Sequence, residues 1–172
     1  MKDLKKDSIK IYIKMFLIGI IILFLDQITK FYVISYFHSI KYNSDRSKLI
    51  NINNFFNITE IHNYGISFSM LDSFPKEILI ILSLCLIILM IIWIIKNYFN
   101  NKSIYFLNLI IWGAIGNLTD RIKYGYVIDF IDIHIKNIHY PVFNIADICI
   151  CIGAILFTFY ELKNTSLSNK SI

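Results

Sequence analysis

The sequence predicts an all-α integral membrane protein with four transmembrane helices and a small extracytoplasmic β-sheet formed by its loops. Three observations carry that prediction. Hydrophobic residues make up 56% of the 172-residue chain and its mean hydropathy is +0.60, above the roughly 45–50% apolar usage of soluble domains. Four segments are long and apolar enough for a ~30 Å hydrocarbon core, which takes about 20 helical residues. Between them, 129–136 alternates Ile131, Ile133 and Ile135 with Asp132, His134 and Lys136, the period of a half-exposed strand.

The first helix is expected over about 11–37. Lys2, Lys5, Lys6 and Lys10 followed by an apolar run imitate a secretory signal. No small-residue cleavage site follows, however, and the apolar character resumes after Asp26-Gln27-Ile28-Thr29-Lys30, as in an uncleaved span. The second helix, about 78–95, has only Ser83 and Cys85 as mildly polar members. The third is expected over 103–120 and the fourth over 140–162. Together 1–163 read as a single membrane-embedded domain, and polar 164–172 as a disordered cytoplasmic tail. In the 38–77 loop, Leu49, Ile50, Ile52, Phe55, Phe56, Ile58 and Ile61 are interspersed with asparagines, which suits extended chain, and Asn63-Tyr64-Gly65 marks a turn.

Charge sets the orientation. Segments 1–14, 96–102 and 161–172 hold nine Lys/Arg in 33 residues, against seven in 61 for 38–77 and 119–139. The denser set belongs on the cytoplasmic side, so both termini are expected inside and the two longer loops outside. The net charge of +5 is thereby read as topology and attraction to anionic membrane lipids, with no nucleic acid as partner. Cys85, Cys149 and Cys151 all lie in apolar runs without CxxC spacing, so neither a disulfide framework nor a metal site is expected and they read as packing residues.

Ionisable groups inside spanning helices cost about 2.5–3.5 kcal/mol each on insertion scales, which makes each one a candidate for function. On the first helix Asp26 and Lys30 are four apart and share a face; the plain reading is a self-neutralising pair with Lys30 snorkelling to the outer interface. On the third, Gly113, Asn117 and Asp120 form one stripe with Gly116 and Arg121 beside it. On the fourth, Asn144, Asp147, Cys151 and Ala154 form another, with Asp147 about two turns below a start at Tyr140. Asp129 adds a fourth acid, 18 residues before Asp147. Four carboxylates against one Arg and one Lys exceed what a packing seam needs.

Paired carboxylates suit water activation, because two acids sharing a site cannot both ionise cheaply: one keeps a proton while the other acts as base. His38, His62, His134 and His139 all fall in outer segments, and neither HExxH nor Gly-x-Ser-x-Gly is present, which weighs against zinc-peptidase and serine-hydrolase chemistry. Two other classes fit the same acids: a small proton or ion transporter with a carboxylate relay, and a non-enzymatic membrane assembly subunit whose polar stripes dock a partner.

Four blocks, in order, resemble the bacterial lipoprotein signal peptidases (signal peptidase II). Asp26-Gln27-Ile28-Thr29-Lys30 is similar to the family's D-Q-x-x-K. Asn63-Tyr64-Gly65 through Phe68-Ser69 resembles N-x-G-x-x-F. Gly116-Asn117-Leu118-Thr119-Asp120-Arg121, with Gly125, Val127, Asp129 and Phe130, resembles G-N-x-x-D-R followed by G-x-V-x-D-F. Phe143-Asn144-Ile145-Ala146-Asp147 resembles F-N-x-A-D. The resemblance runs from about residue 20 to 160. It implies a cofactor-free aspartic endopeptidase with Asp129 and Asp147 as catalytic dyad. Asn63, Gly65, Asn117, Asp120, Arg121 and Asn144 then line or brace the site, and Asp26 and Lys30 support it. It further implies diacylglyceryl-modified prolipoproteins as substrates, cut before the lipidated cysteine at the outer face of the bacterial cytoplasmic (inner) membrane, by a chain expected to be monomeric. Ile66 and Ser67 depart from the small pair usual after the glycine of the second block, a difference that bears on substrate or inhibitor fit.

Overall fold

The computed structural model describes residues 2–41, 49–65, 75–97 and 103–168. The described residues are mostly helical, with a small antiparallel sheet. Helix α1 spans Lys2–Lys41 and outruns the expected 11–37, because no proline interrupts the segment at either end. Helix α2, Lys76–Asn97, begins just after Pro75, with Glu77 in its first turn and Lys96 in its last, charges that complement the helix dipole. Helix α3, Ile104–Tyr124, stops at Gly125, whose φ of 85° lets its N–H turn back to the Arg121 carbonyl at 3.0 Å, a left-handed cap that glycine adopts without Cβ strain. Helix α4 spans Ile145–Ser168.

Among the described residues, three stretches are long and apolar enough to cross a membrane: Ile9–Ser39, Lys76–Lys96 and Ile145–Asn164. Most of their residues stay exposed on the protein surface, as expected of chain whose solvent is lipid. Helix α3 has a comparable 21 residues but lies at the centre, packed on α1, α2 and α4. With three neighbours to cover it, it tolerates Asn108, Asn117, Asp120 and Arg121, all buried. The core runs along it through Leu107, Ile110, Ile111 and Leu118 against Met15 of α1 and Ile87 and Ile94 of α2. Close approach depends on missing side chains: a Cβ at Gly113 would lie 2.5 Å from the Ala146 carbonyl, and one at Gly153 2.7 Å from the Phe106 carbonyl.

Strands β1 (Leu49–Asn53), β2 (Phe56–Asn63), β3 (Val127–Ile135) and β4 (Ile138–His139) pair in that order, all antiparallel. The register places Ile61 opposite Asp129 and Asn63 opposite Val127. The alternation along β3 is turned relative to an aqueous surface. Asp132 is buried, held by Asn57 Nδ2 at 2.8 Å and by His139 Nδ1 at 2.8 Å, while Ile133, Ile135 and Ile138 are exposed.

Helix α4 begins at Ile145, not near 140. Pro141 disfavours helix at the residue before it, and Phe143 instead bridges to Ile131 of β3. Asp147 therefore lies in the first turn, not two turns down. At the other end α4 continues to Ser168, so 164–168, expected to be disordered, are helical; 169–172 lie outside the described residues, as do Ile66, Ser67, Phe68 and Ser69 of the second block.

Candidate active site

The polar residues of α1, α3, β3 and α4 converge on one place, and Lys30 is its hub. The Lys30 ammonium, only 2% exposed, lies 2.8 Å from Asp26 and 2.7 Å from Asp120, and donates to Asn117 Oδ1 at 3.2 Å. It does not snorkel, because two buried carboxylates and an amide oxygen together replace the water it gives up. Asp26 Oδ1 accepts the N–H of Ala146 at 3.0 Å, placing a carboxylate against one of the unpaired donors at the start of α4. Asp120 Oδ2 accepts the Ile128 N–H at 3.3 Å and so fixes the start of β3. Gln27 closes the cluster, donating to Asp120 Oδ1 at 2.9 Å and to the Gly116 carbonyl at 3.3 Å.

That hub sets the relation between β3, which carries Asp129, and α4, which carries Asp147. Asp129 accepts Asn63 Nδ2 on one oxygen at 2.9 Å and Asn144 Nδ2 on the other at 2.7 Å. Asp147 accepts Asn117 Nδ2 at 2.8 Å and the Asn144 backbone N–H at 3.2 Å. Asn144 in turn caps α4, its Oδ1 accepting the Asp147 N–H at 2.9 Å. Asn144 and Asp147 thus form a reciprocal capping box. Burial, and then the neighbouring Asp147 carboxylate, push the Asp129 carboxyl up to about 7 against the opposing pull of Asn63, Asn144 and Lys30.

The remaining residues frame an approach to the pair. Asn63 Oδ1 accepts the Gly65 N–H at 3.0 Å, which leaves its amide group facing Asp129. Arg121 Nη2 donates to the Gly65 carbonyl at 2.7 Å, and Arg121 Nε is buried with no hydrogen-bond partner among the described residues. Two cavities, each of about 290 Å³, open beside the pair. One runs between α2, α3 and α4 past Leu79, Leu86, Met90 and Ala114 and ends at Asn63, Asn117, Arg121 and Asp147. The other is walled by Tyr140, Val142, Ile148 and Ile152 and reaches Asn63, Asp129 and Asp147.

Asp26, Lys30, Asn63, Gly65, Asn117, Asp120, Arg121, Asp129, Asn144 and Asp147 are therefore neighbours in space although they span 122 positions of sequence. Sequence reasoning left out Gln27, although a neutral amide inside an apolar run signals a buried hydrogen-bond network. It also left out the backbone donors Ile128 and Ala146, which no side-chain pattern reveals. Among the described residues, no three His, Cys, Asp or Glu side chains come together as metal ligands would.

The sequence model of the signal peptidase (SPase) II family matches residues 18–163. A lipoprotein signal peptidase of Thermodesulfovibrio yellowstonii is 37% identical over 157 residues, covering 91% of this chain and 99% of its own. One from Buchnera aphidicola subsp. Baizongia pistaciae is 42% identical over 166 residues, covering 90% and 95%. A solved structure of a bacterial membrane enzyme superposes with a TM-score of 0.74 at 30% identity, covering 89% of this chain and 90% of that one. On the family match and the near full-length similarity to these peptidases, the chain belongs to the signal peptidase II family.

Proposed function

We propose that this chain is an aspartic endopeptidase that removes the signal peptide of diacylglyceryl-modified prolipoproteins, cutting before the lipidated cysteine. The observation that carries this reading is the meeting of Asp129 and Asp147. The two acids come from different elements, each oxygen is held by an N–H donor, and both border one apolar cavity. Water between the two carboxyls loses a proton to the ionised one as its oxygen attacks the scissile carbonyl carbon. The protonated carboxyl donates to the carbonyl oxygen, giving a neutral tetrahedral intermediate. Collapse of that intermediate breaks the C–N bond: the proton first taken from water passes to the leaving amine, and a hydroxyl of the intermediate returns its proton to the other carboxylate, which releases the new carboxyl end and leaves the pair again with one proton. Carboxylates and water suffice for these steps.

The apolar walls suit a lipidated substrate delivered from the bilayer. In this reading α3 is the fourth spanning helix, both termini are cytoplasmic, and the site works as a monomer toward the outer face of the bacterial cytoplasmic membrane. Exposed Ile133, Ile135 and Ile138 on the sheet are in keeping with lipid contact there. A proton relay would need acids free to exchange at graded depths, whereas Asp26 and Asp120 share one buried lysine. Incubating the purified protein with a diacylglyceryl-modified precursor tests the proposal. A mobility shift to the mature lipoprotein is expected, and an unprocessed precursor contradicts it.

A further inference from the structure

We infer that Asn144 is the positioning residue that sets the relation between the two carboxylates, through a single amide that does two jobs at once. Its carbonyl oxygen caps α4 by accepting the Asp147 N–H at 2.9 Å. A backbone N–H only donates, so this contact fixes which way the amide points. The NH2 group is thereby turned toward Asp129 Oδ1 at 2.7 Å and Asn117 Oδ1 at 3.1 Å. Asn117 Oδ1 also accepts from Lys30, another pure donor, so the Asn117 NH2 must face Asp147, which it meets at 2.8 Å. One chain of amides therefore links both acids, and its direction is set at the first residue before the helix. Asn144 is fully buried and borders neither cavity, so its influence on the reaction passes through Asp129 and Asp147.

This double role narrows the choice of residue. Serine, threonine and aspartate cap helices about as well as asparagine, but an ionised aspartate has no donor and a hydroxyl is too short to cap Asp147 and grip Asp129 together. The charged groups around the pair are Lys30 and Asp26 of α1 and Asp120 and Arg121 of α3. Substitution at Asn144 leaves all four in place.

The inference rests on the peptidase reading, and the comparison of Asn144→Ser with Asn144→Ala in the full-length, detergent-solubilised protein tests it. The alanine variant loses cap and grip. Its Tm is expected to fall by more than about 2–4 °C, the worth of one N-cap in a chain of this size, because buried Asp129 also loses a donor, and its kcat by at least about tenfold. The serine variant is expected to regain the cap's share of that Tm while kcat stays at the alanine level and KM is little changed. In both variants the apparent constant governing Asp129 should rise, because that carboxylate has lost an N–H donor. Restoration of kcat together with Tm in Asn144→Ser would reduce Asn144 to a helix cap. An unfolded Asn144→Ser, or a serine variant no more stable than alanine, would remove the capping half. An inactive wild-type protein would point instead to failure of the peptidase reading, and the Tm comparison would still decide the cap.

Discussion

Gly113→Ala joins packing to chemistry in one substitution. The added Cβ would lie 2.5 Å from the Ala146 carbonyl oxygen and 2.8 Å from Ile150 Cγ1, where ordinary contact needs about 3.5 Å. The Ile150 side chain can rotate, but the carbonyl belongs to the backbone of α4's first turn. That turn must retreat by roughly 1 Å, taking the adjoining Asp147 with it. Overpacking of this kind costs about 1–3 kcal/mol, and each kcal/mol lowers Tm by about 2–4 °C in a chain of this size. A 1 Å misplacement of a reacting group can cost about a hundredfold in rate. Gly153→Ala supplies the comparison, since its Cβ would meet the Phe106 carbonyl at 2.7 Å but almost two helical turns beyond Asp147. Scanning fluorimetry in detergent should show both variants destabilised, whereas cleavage of a lipidated precursor should show the large kcat loss in Gly113→Ala alone. Equal kcat in the two variants at similar Tm would refute the idea that the start of α4 sets the dyad.

Stability should carry the signature of Asp129. A carboxyl raised to about 7 in the folded protein stabilises it below the ordinary carboxylate range, and that contribution is lost as pH rises through 7, an effect on the order of a few kcal/mol. Tm of the wild-type protein should therefore drop between about pH 4 and 7 and level off above, and in Asp129→Asn the drop should flatten; parallel slopes would count against the shift. Arg121→Ala removes the donor that holds the Gly65 carbonyl and one partner of a buried charge cluster, a change worth about 3–5 kcal/mol, so both folded yield and activity should fall. Wild-type thermal stability with lost activity would assign Arg121 to substrate contact instead. A reporter fused after Lys163 should read as cytoplasmic and one inserted within 43–47 as extracytoplasmic; the reverse pattern would move the site to the other face.

The parts of the structure legible in the sequence are those that periodicity or cost makes visible. The apolar runs of α1, α2 and α4 and the strand around 129–136 are written in hydropathy. Asp26, Asp120 and Asp147 stand out because an acid in an apolar run needs a reason. The start of α4 was harder to read, since Tyr140, Val142 and Phe143 continue the apolar pattern although Pro141 and the bridge to Ile131 hold them extended. Moving the start to Ile145 turns Asn144 from a member of a polar stripe into a helix cap. The buried position of Lys30, in place of a snorkelling one, is hidden for a related reason. Its spacing from Asp26 is local and readable, but its contact with Asp120 comes from packing of α1 on α3 and leaves no trace in spacing. The inward face of β3 depends on Asn57 and His139, which reach Asp132 only once the sheet has formed.

The central claim, that Asp129 and Asp147 activate water as a unit, is tested most directly by cleavage assays on Asp129→Asn, Asp147→Asn and the double variant. Asparagine is close to isosteric with aspartate but cannot take up the water's proton. Each single substitution should abolish processing of a diacylglyceryl-modified precursor while membrane insertion and solubilised yield stay near wild type. The double variant should be no worse than either single, because residues acting as one unit are strongly non-additive. Substantial turnover by either single variant would contradict the account and leave Asp120 as the next acid to test.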